Sequence, residues 1–504
     1  MIKQLAILDD ENDSKLEIND YEITEFSHEK FAVDKERLSL EKRYIDLIEE
    51  TNIFNRQLVS YQANKHESVH KWLKYREGFS SELVSILLQQ FGAKEGELVL
   101  DPFMGSGTTA LVAKMFGLNS IGFDILPISE IAFNAKKFIY NYKLDELNAI
   151  YAMIQGNEFT SEKVPSFNHL GITEGAFPDE TEKDLMFLTN LINCSNYSLE
   201  AKNLLKLIFV NSLESISYTR KDGQYLRWDY RSKKVISGNK KRIEQGKEPL
   251  RTILDKGPLP SIKECVLTEL SSIIRDIEII QQNTEDKSNS ETFIKGSSLY
   301  EIPKMEPDQI NWVITSPPYC NRYDYTRTYA LELAYLGVNE KSIKQLRQDL
   351  LTCTVESKPK LKQLEQYYKE LDLTERYKEI SEIVQSNKVL AEINEALSLR
   401  MKNGDMNNKG VLQMVDGYFT ELAFVFYELY RTSKKGAKVA FVNDNVRYGG
   451  EVIPVDFLTT AIAEQIGFKA IKIYILKQRK GNSSQQMKKF GNVPLRKSIT
   501  IWEK

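Results

Sequence analysis

The sequence predicts an α/β protein built on a doubly wound, largely parallel sheet. Short apolar runs of strand character alternate with segments of helical spacing, a pattern that places helices on both faces of such a sheet. Leu98-Val-Leu100 runs into the glycine-rich turn Asp101-Pro-Phe-Met-Gly-Ser-Gly-Thr-Thr109, and a helix is expected from Thr108 to Phe116. Ile310-Asn-Trp-Val-Ile314 runs just as directly into Thr315-Ser-Pro-Pro-Tyr319. Sheets of this kind bind ligands beyond the carboxyl ends of their strands. The two motifs, 206 positions apart from Thr109 to Thr315, are therefore expected on one rim.

The elements follow in order. Residues 1–67 read as an acidic tail and a helical extension, with a charged, partly amphipathic helix over 34–60. Residues 68–130 carry the loop Lys74–Ser80, a helix from Ser81 to Gln90 (apolar Leu83, Val84, Ile86 and Leu87), the glycine turn and a second strand, Ser120–Asp124. Residues 131–290 are mainly helical in pattern, broken by a basic stretch at 219–258. Residues 291–337 hold the strands Thr292–Gly296 and Ile310–Ile314 and the Ser-Pro-Pro-Tyr motif. Residues 338–408 alternate charges at helical spacing and predict an exposed helical arm. Residues 409–504 return to α/β texture, with helices over 415–432 and 455–466 and strands Val439–Val442 and Ala470–Leu476.

Across 504 residues, 41% are hydrophobic and 28% charged, the balance of an ordinary globular protein of two or three domains. No run approaches a membrane span, and the opening Met-Ile-Lys-Gln lacks a secretory pattern. Cys194, Cys265, Cys320 and Cys353 form no C-x-x-C pair, which argues against a zinc site or disulfide scaffold. A reducing, cytoplasmic setting without a metal is expected. With four histidines, a histidine base or metal cluster has little to draw on. The net charge of −3 hides local asymmetry. Residues 1–33 hold nine acids and three bases, 220–251 eleven bases and four acids, and 471–497 eight bases and no acid. Basic patches on a near-neutral chain suggest a polyanion met at a defined face, although solvated loops would look the same.

Gly105-x-Gly107 opens a helix whose N-terminal N–H groups face a ligand. Asp124 ends the second strand 19 residues after Gly105, where an acid that binds a ribose belongs. These features suit NAD or S-adenosylmethionine, and the later motif must decide. Pro317 and Pro318 remove two N–H donors and leave carbonyl oxygens unopposed. Ser316 adds an acceptor and Tyr319 an aromatic face. Such a pocket suits an amino group on a planar ring, accepting its hydrogens and restoring the nitrogen's lone pair. A base in duplex DNA reaches it only by flipping out, with the tyrosine replacing lost stacking. An isolated Pro-Pro-Tyr could equally be a strand-to-loop stop.

With these motifs in place, the chain resembles the S-adenosylmethionine-dependent amino-group DNA methyltransferases, and Ser-Pro-Pro-Tyr is most similar to their N4-cytosine branch. The resemblance covers roughly 68–130, 290–337 and 410–504. It implies a Rossmann-like doubly wound methyltransferase sheet with two large, mainly helical insertions. It implies S-adenosylmethionine held by Phe79, Ser80, Asp101, Pro102, Phe103, Gly105, Gly107, Thr108, Asp124, Ser297 and Thr315, and catalysis by Ser316, Pro317, Pro318 and Tyr319. The family often places an acid after its third core strand to hold the adenine amine, whereas this chain has Gly296-Ser297-Ser298. Val442-Asn-Asp-Asn445 with Ile453–Asp456, and Gly481–Gln486, look familiar too. Double-stranded DNA is the implied partner, with Arg227, Arg231, Lys233, Lys234, Lys240 and Lys241, set among Tyr218, Tyr225, Trp228 and Tyr230, as the first candidate contacts. Arg479, Lys480, Ser483 and Ser484 would face the flipped base or its phosphates. A small helical core would also account for the aromatics of the first patch.

The expected activity is site-specific N4-cytosine methylation by base flipping and direct transfer, in a restriction-modification or phage-defence setting with a cognate restriction or defence subunit. N6-adenine methylation is the near alternative, followed by RNA-base methylation and a non-catalytic specificity subunit. A C5-cytosine enzyme is disfavoured because no Pro-Cys dipeptide occurs.

Overall fold

The computed structural model describes all residues except 1–21, 51–52, 55–56, 76, 159–163, 224, 251–253, 288, 407, 477–488, 492 and 494. Most of the acidic tail, Arg251 of the basic stretch, Arg76 of the expected loop, and Arg479, Lys480, Ser483 and Ser484 lie outside the described residues.

Twelve strands are described: β1 (Ile48–Glu50), β2 (Leu98–Asp101), β3 (Asn119–Asp124), β4 (Thr219–Asp222), β5 (Tyr225–Trp228), β6 (Glu291–Lys295), β7 (Ile310–Thr315), β8 (Ser433–Asp444), β9 (Val446–Tyr448), β10 (Glu451–Ile453), β11 (Lys469–Leu476) and β12 (Lys497–Glu503). Eight form one sheet in the order β1-β11-β12-β8-β7-β2-β3-β6. Its pairings are parallel except along β12, which runs antiparallel to both β8 and β11. Chain order reverses between β7 and β2, and the glycine turn and Ser-Pro-Pro-Tyr leave these adjacent strands on one rim.

Successive strand residues point to opposite faces, and the two cores record the alternation. Leu100, Val313, Phe441, Ile473 and Ile475 face the helices Gly410–Thr432 and Val455–Ile466. Val99, Ile314, Ala440, Val442 and Leu476 face the helices Ser81–Phe91 and Thr108–Phe116. A third core joins the helices Pro127–Lys137, Leu144–Gly156, Asp179–Cys194, Leu199–Ile216 and Ile262–Asn283 to the segment after Ser-Pro-Pro-Tyr, including Tyr325, Tyr329 and Leu333. Ser261 starts the last of these helices with a reciprocal Glu264 capping box.

Two expectations are corrected, and the basic stretch that was expected to break the helices gains its structure. The helix expected over 34–60 is only Lys35–Tyr44, and β1 follows it because pairing with β11 overrides local propensity. The basic stretch 219–258 is a β4–β5 hairpin followed by the helix Lys233–Glu244, which Ser232 caps. The segment 338–408 is not an exposed arm. Its helices Leu361–Glu370, Thr374–Gln385 and Lys388–Lys402 bury Leu364, Tyr368, Ile380, Leu390, Ile393 and Leu397 against Gly410–Thr432. A buried Lys360–Glu421 ion pair at 2.8 Å reinforces the docking, and Arg37 reaches Glu392 at 3.0 Å.

Candidate active site

Asp101 ends β2 almost completely buried. Its carboxylate accepts from Thr315 Oγ1 at 2.7 Å, Thr109 Oγ1 at 2.8 Å and the Phe103 N–H at 3.1 Å. It thereby ties the glycine turn to the end of β7, and burial pushes its carboxyl up to about 6. Gly105 lies at φ +53°, and its N–H donates to Asp124 Oδ2 at 2.9 Å. A Cβ there would stand 2.8 Å from the Tyr75 ring, so the position needs glycine for both conformation and space. Asp124 Oδ1 accepts from the Leu126 N–H at 2.8 Å. Burial pushes this carboxyl up to about 6 as well, against the hydrogen bonds that favour its ionised form.

A cavity opens above these groups. Tyr75, Glu77, Gly78 and Phe79 wall one side, the turn Asp101–Ser106 and Thr108 form the floor, and Phe123–Leu126 and Gly296–Ser298 continue it. Ser316, Pro318 and Tyr325 stand at one end, and Asp349–Leu351 close it from the 338–408 segment. Phe79, Asp101, Pro102, Phe103, Gly105, Thr108, Asp124 and Ser297 thus share one cavity with Ser316 and Pro318. Ser80, Gly107, Thr315, Pro317 and Tyr319 are not among the lining residues. Ser80 caps the helix Ser81–Phe91 by accepting from the Leu83 N–H at 3.1 Å, and Gly107 caps Thr108–Phe116 at φ +79°. Thr315 acts through Asp101, and Pro317 is buried.

Ser316 Oγ donates to Tyr319 Oη at 3.0 Å, which leaves its lone pairs as acceptors for a ligand in the cavity. Sequence reasoning missed the group that holds Tyr319. Lys497 Nζ hydrogen-bonds its hydroxyl, lies 5.2 Å from its ring centroid and approaches Asp444 Oδ1 at 3.4 Å. Burial alone would lower the Lys497 ammonium, but Tyr319 and Asp444 hold it above its ordinary value. Tyr75, Glu77 and Tyr325 were also missed. Tyr75 stacks on Tyr329 at 5.5 Å, and Glu77 accepts from the Tyr323 and Tyr329 hydroxyls. Cys320 is buried, which pushes its thiol up and leaves it inert.

The expected nucleic-acid residues divide into engaged and open groups. Arg231 is clamped by Asp229 at 2.8 and 3.0 Å and by the Gly257 carbonyl at 2.7 Å, so its guanidinium serves the fold. Its hydrogen bonds push the Asp229 carboxyl down to about 2. Arg227 pairs with Asp222 across the hairpin, and Lys233 pairs with Asp179 at 2.8 Å on the surface. Lys234 lies 4.5 Å over the Trp228 ring. Lys240 and Lys241 are exposed and form no ion pair among the described residues. Tyr225, Tyr230, Ile236 and Ile243 are exposed beside them. The hairpin is tied to the segment after Ser-Pro-Pro-Tyr, since Lys221 pairs with Glu332 and lies 4.3 Å over the Tyr329 ring.

A profile of the family described as DNA methylase, covering N6 and N4 enzymes, matches residues 90–134, the span of the glycine turn and Asp124. The type II methyltransferase M.BsoBI of Geobacillus stearothermophilus is 64% identical over 486 residues, covering 96% of this chain and 95% of that one. The type II methyltransferase M.AvaI of Nostoc sp. is 38% identical over 475 residues, 92% of each chain. M.MjaII of Methanocaldococcus jannaschii, another type II methyltransferase, is 28% identical over 175 residues, 34% of this chain and 29% of its own length. Likeness over nearly the full length of two such enzymes, with the glycine turn and Ser-Pro-Pro-Tyr on one rim, places the chain in the amino-group DNA methyltransferase family.

Proposed function

We propose that the protein transfers a methyl group from S-adenosylmethionine to the exocyclic N4 of cytosine at a short site in duplex DNA. The setting is cytoplasmic restriction-modification, with cleavage left to a separate partner. The observation that carries the reading is Ser316. Its proton is committed to Tyr319 Oη at 3.0 Å while its oxygen stands at the end of the cavity that Gly105 and Asp124 shape.

The residues present fit the family's methyl donor. Asp124 offers acceptors for ribose hydroxyls, Phe103 and Gly105 lie along the floor, and Phe79 closes the opposite wall. Two carboxyls pushed upward by burial, Asp101 and Asp124, supply negative potential that suits a cationic ligand. Bound there, S-adenosylmethionine would supply an electrophilic methyl on a sulfonium. Ser316 Oγ and the carbonyls of the proline pair accept the two hydrogens of the incoming amine. Holding those hydrogens localises the nitrogen lone pair, so catalysis is positioning and electrostatics without a covalent enzyme intermediate. Tyr319, braced by Lys497, takes the extruded base on its ring.

The test incubates the protein with S-adenosylmethionine and a duplex of random sequence, then analyses the digested nucleosides by mass spectrometry. N4-methyldeoxycytidine is expected. N6-methyldeoxyadenosine would replace cytosine by adenine, and methylation of RNA alone would remove DNA as the substrate.

A further inference from the structure

The chain leaves the cavity after Pro318 and returns to it at Tyr325. Arg322 stands within that excursion, four residues from one and three from the other. Its Cα therefore lies within about 14 and 11 Å of theirs, at the mouth of the catalytic end. The loop is pinned on both sides of it. The Asn321 N–H donates to the Tyr319 carbonyl at 2.7 Å, and Tyr448 Oη donates to the Cys320 carbonyl at 2.6 Å. Beyond Arg322, the Tyr323 N–H donates to Asn321 Oδ1 at 3.1 Å, and the Tyr323 hydroxyl is held by Glu77 on the cavity wall.

Between these ties Arg322 adopts φ +69°, in the left-handed region that side chains with a Cβ rarely enter. Strain of this kind persists only where the surroundings impose it, and it gathers where a side chain must be aimed. The side chain it aims is unspent. Arg322 is half-buried, its Nε is buried without a hydrogen-bond partner, and its guanidinium forms no ion pair among the described residues. Its neighbours differ. Arg327 and Arg347 both pair with Asp324 and Glu356, and Lys497 faces Asp444. Glu77 is occupied by the hydroxyls of Tyr323 and Tyr329.

A cationic fork at the mouth, with the acids around it already engaged, suits an anion that arrives with the substrate. Extrusion carries a base into the pocket, but its phosphates stay in the strand and so remain outside. A guanidinium takes a phosphate through two parallel N–H···O bonds. An edge of the base is the poorer match, because Arg322 does not line the cavity that the base enters.

We propose that Arg322 grips a phosphate flanking the extruded nucleotide, aimed at it by the left-handed turn after Ser-Pro-Pro-Tyr. The proposal rests on the DNA-methylation reading above. Holding that phosphate fixes how far the nucleotide swings, and so where its amine meets Ser316.

The test uses the full chain and a duplex carrying the site it methylates, with the phosphate 5′ or 3′ of the target nucleotide replaced singly by a neutral methylphosphonate. Single-turnover methyl transfer is read for the wild type, Arg322→Gly and Arg322→Lys. Glycine accepts φ +69° without strain, so it removes the guanidinium and keeps the turn. Its melting and its affinity for S-adenosylhomocysteine should match the wild type. Neutralising one of the two phosphates should slow the wild type by roughly 10- to 100-fold, the range for a hydrogen bond to a charged group. Arg322→Gly should lose as much on the unmodified duplex, and less than about threefold more on the neutralised one, since both changes remove the same interaction. Arg322→Lys, which keeps the charge without the fork, should fall between. If neutralisation costs Arg322→Gly as much as the wild type at both positions, or the wild type is indifferent at both, the proposal falls while the methylation reading stands. If the protein methylates no duplex DNA, both fall together.

Discussion

Replacing Tyr319 by Phe removes one oxygen and keeps the ring, which makes it the sharpest probe of the catalytic end. The lost Oη accepts from Ser316 at 3.0 Å and from the Lys497 ammonium. A hydrogen bond to a charged group contributes about 1.5–3 kcal/mol, and a stranded buried donor costs a similar amount. The ring keeps its cation–π contact with Lys497 at 5.2 Å, worth about 0.5–2 kcal/mol, so base stacking should survive. If Ser316 is aimed by that oxygen, single-turnover methyl transfer should slow by about 10- to 150-fold. Binding of S-adenosylhomocysteine and of DNA should change little. Lys497→Met should slow the reaction comparably, and the double variant should be no slower than the worse single one, because both act on one unit. A Tyr319→Phe rate within about twofold of wild type would refute the idea that the oxygen aims Ser316.

The remaining predictions concern the pocket, the patch and the fold. Asp101 and Asp124 hold protons up to about pH 6, above the ordinary carboxylate value of about 3.9. Their stabilising contribution to the ligand-free protein is full below pH 4 and lost as pH rises through 6, whereas a ribose and a cation require the ionised forms. Affinity for S-adenosylmethionine should therefore fall as pH drops from 7 to 5, by titration calorimetry, and a flat profile would contradict this assignment. Replacing Lys233, Lys234, Lys240 and Lys241 by Ala should shrink the slope of log affinity for DNA against log salt by roughly 2–4 units. An unchanged slope would move the DNA contact elsewhere. Leu397→Ala, at a fully buried site, should cost about 2–5 kcal/mol and lower the main melting transition. An unmoved transition would mean that 338–408 unfolds as a separate unit.

The parts of the site legible in the sequence were those whose chemistry is local. Gly105 and Gly107 announce a turn because only glycine is comfortable at their positive φ, and Pro317-Pro318 announces missing donors wherever it occurs. β1 was illegible because Ile48-Glu-Glu50 has no strand signature, and only its partner β11 makes it a strand. The docking of 338–408 was hidden by abundant surface charge, yet Leu390, Ile393 and Leu397 repeat at three- and four-residue spacing and mark the buried stripe. Ser80 was read as a ligand contact, although a serine directly before a helix is as readily its cap. Lys497 and Asp349 could not have been found at all, since each reaches the cavity region through tertiary placement.

β12 has a consequence for how the protein comes into being. Its seven residues separate β8 from β11, so the sheet stays open between them until the ribosome has made residue 503. At about 5–20 residues per second, the nascent chain carries its finished glycine turn for roughly 20–80 s before that strand exists. Lys497 begins the same strand, so the brace on Tyr319 arrives only when the sheet closes. Synthesis itself therefore delays the enzyme's competence: no partly made copy holds a completed catalytic end.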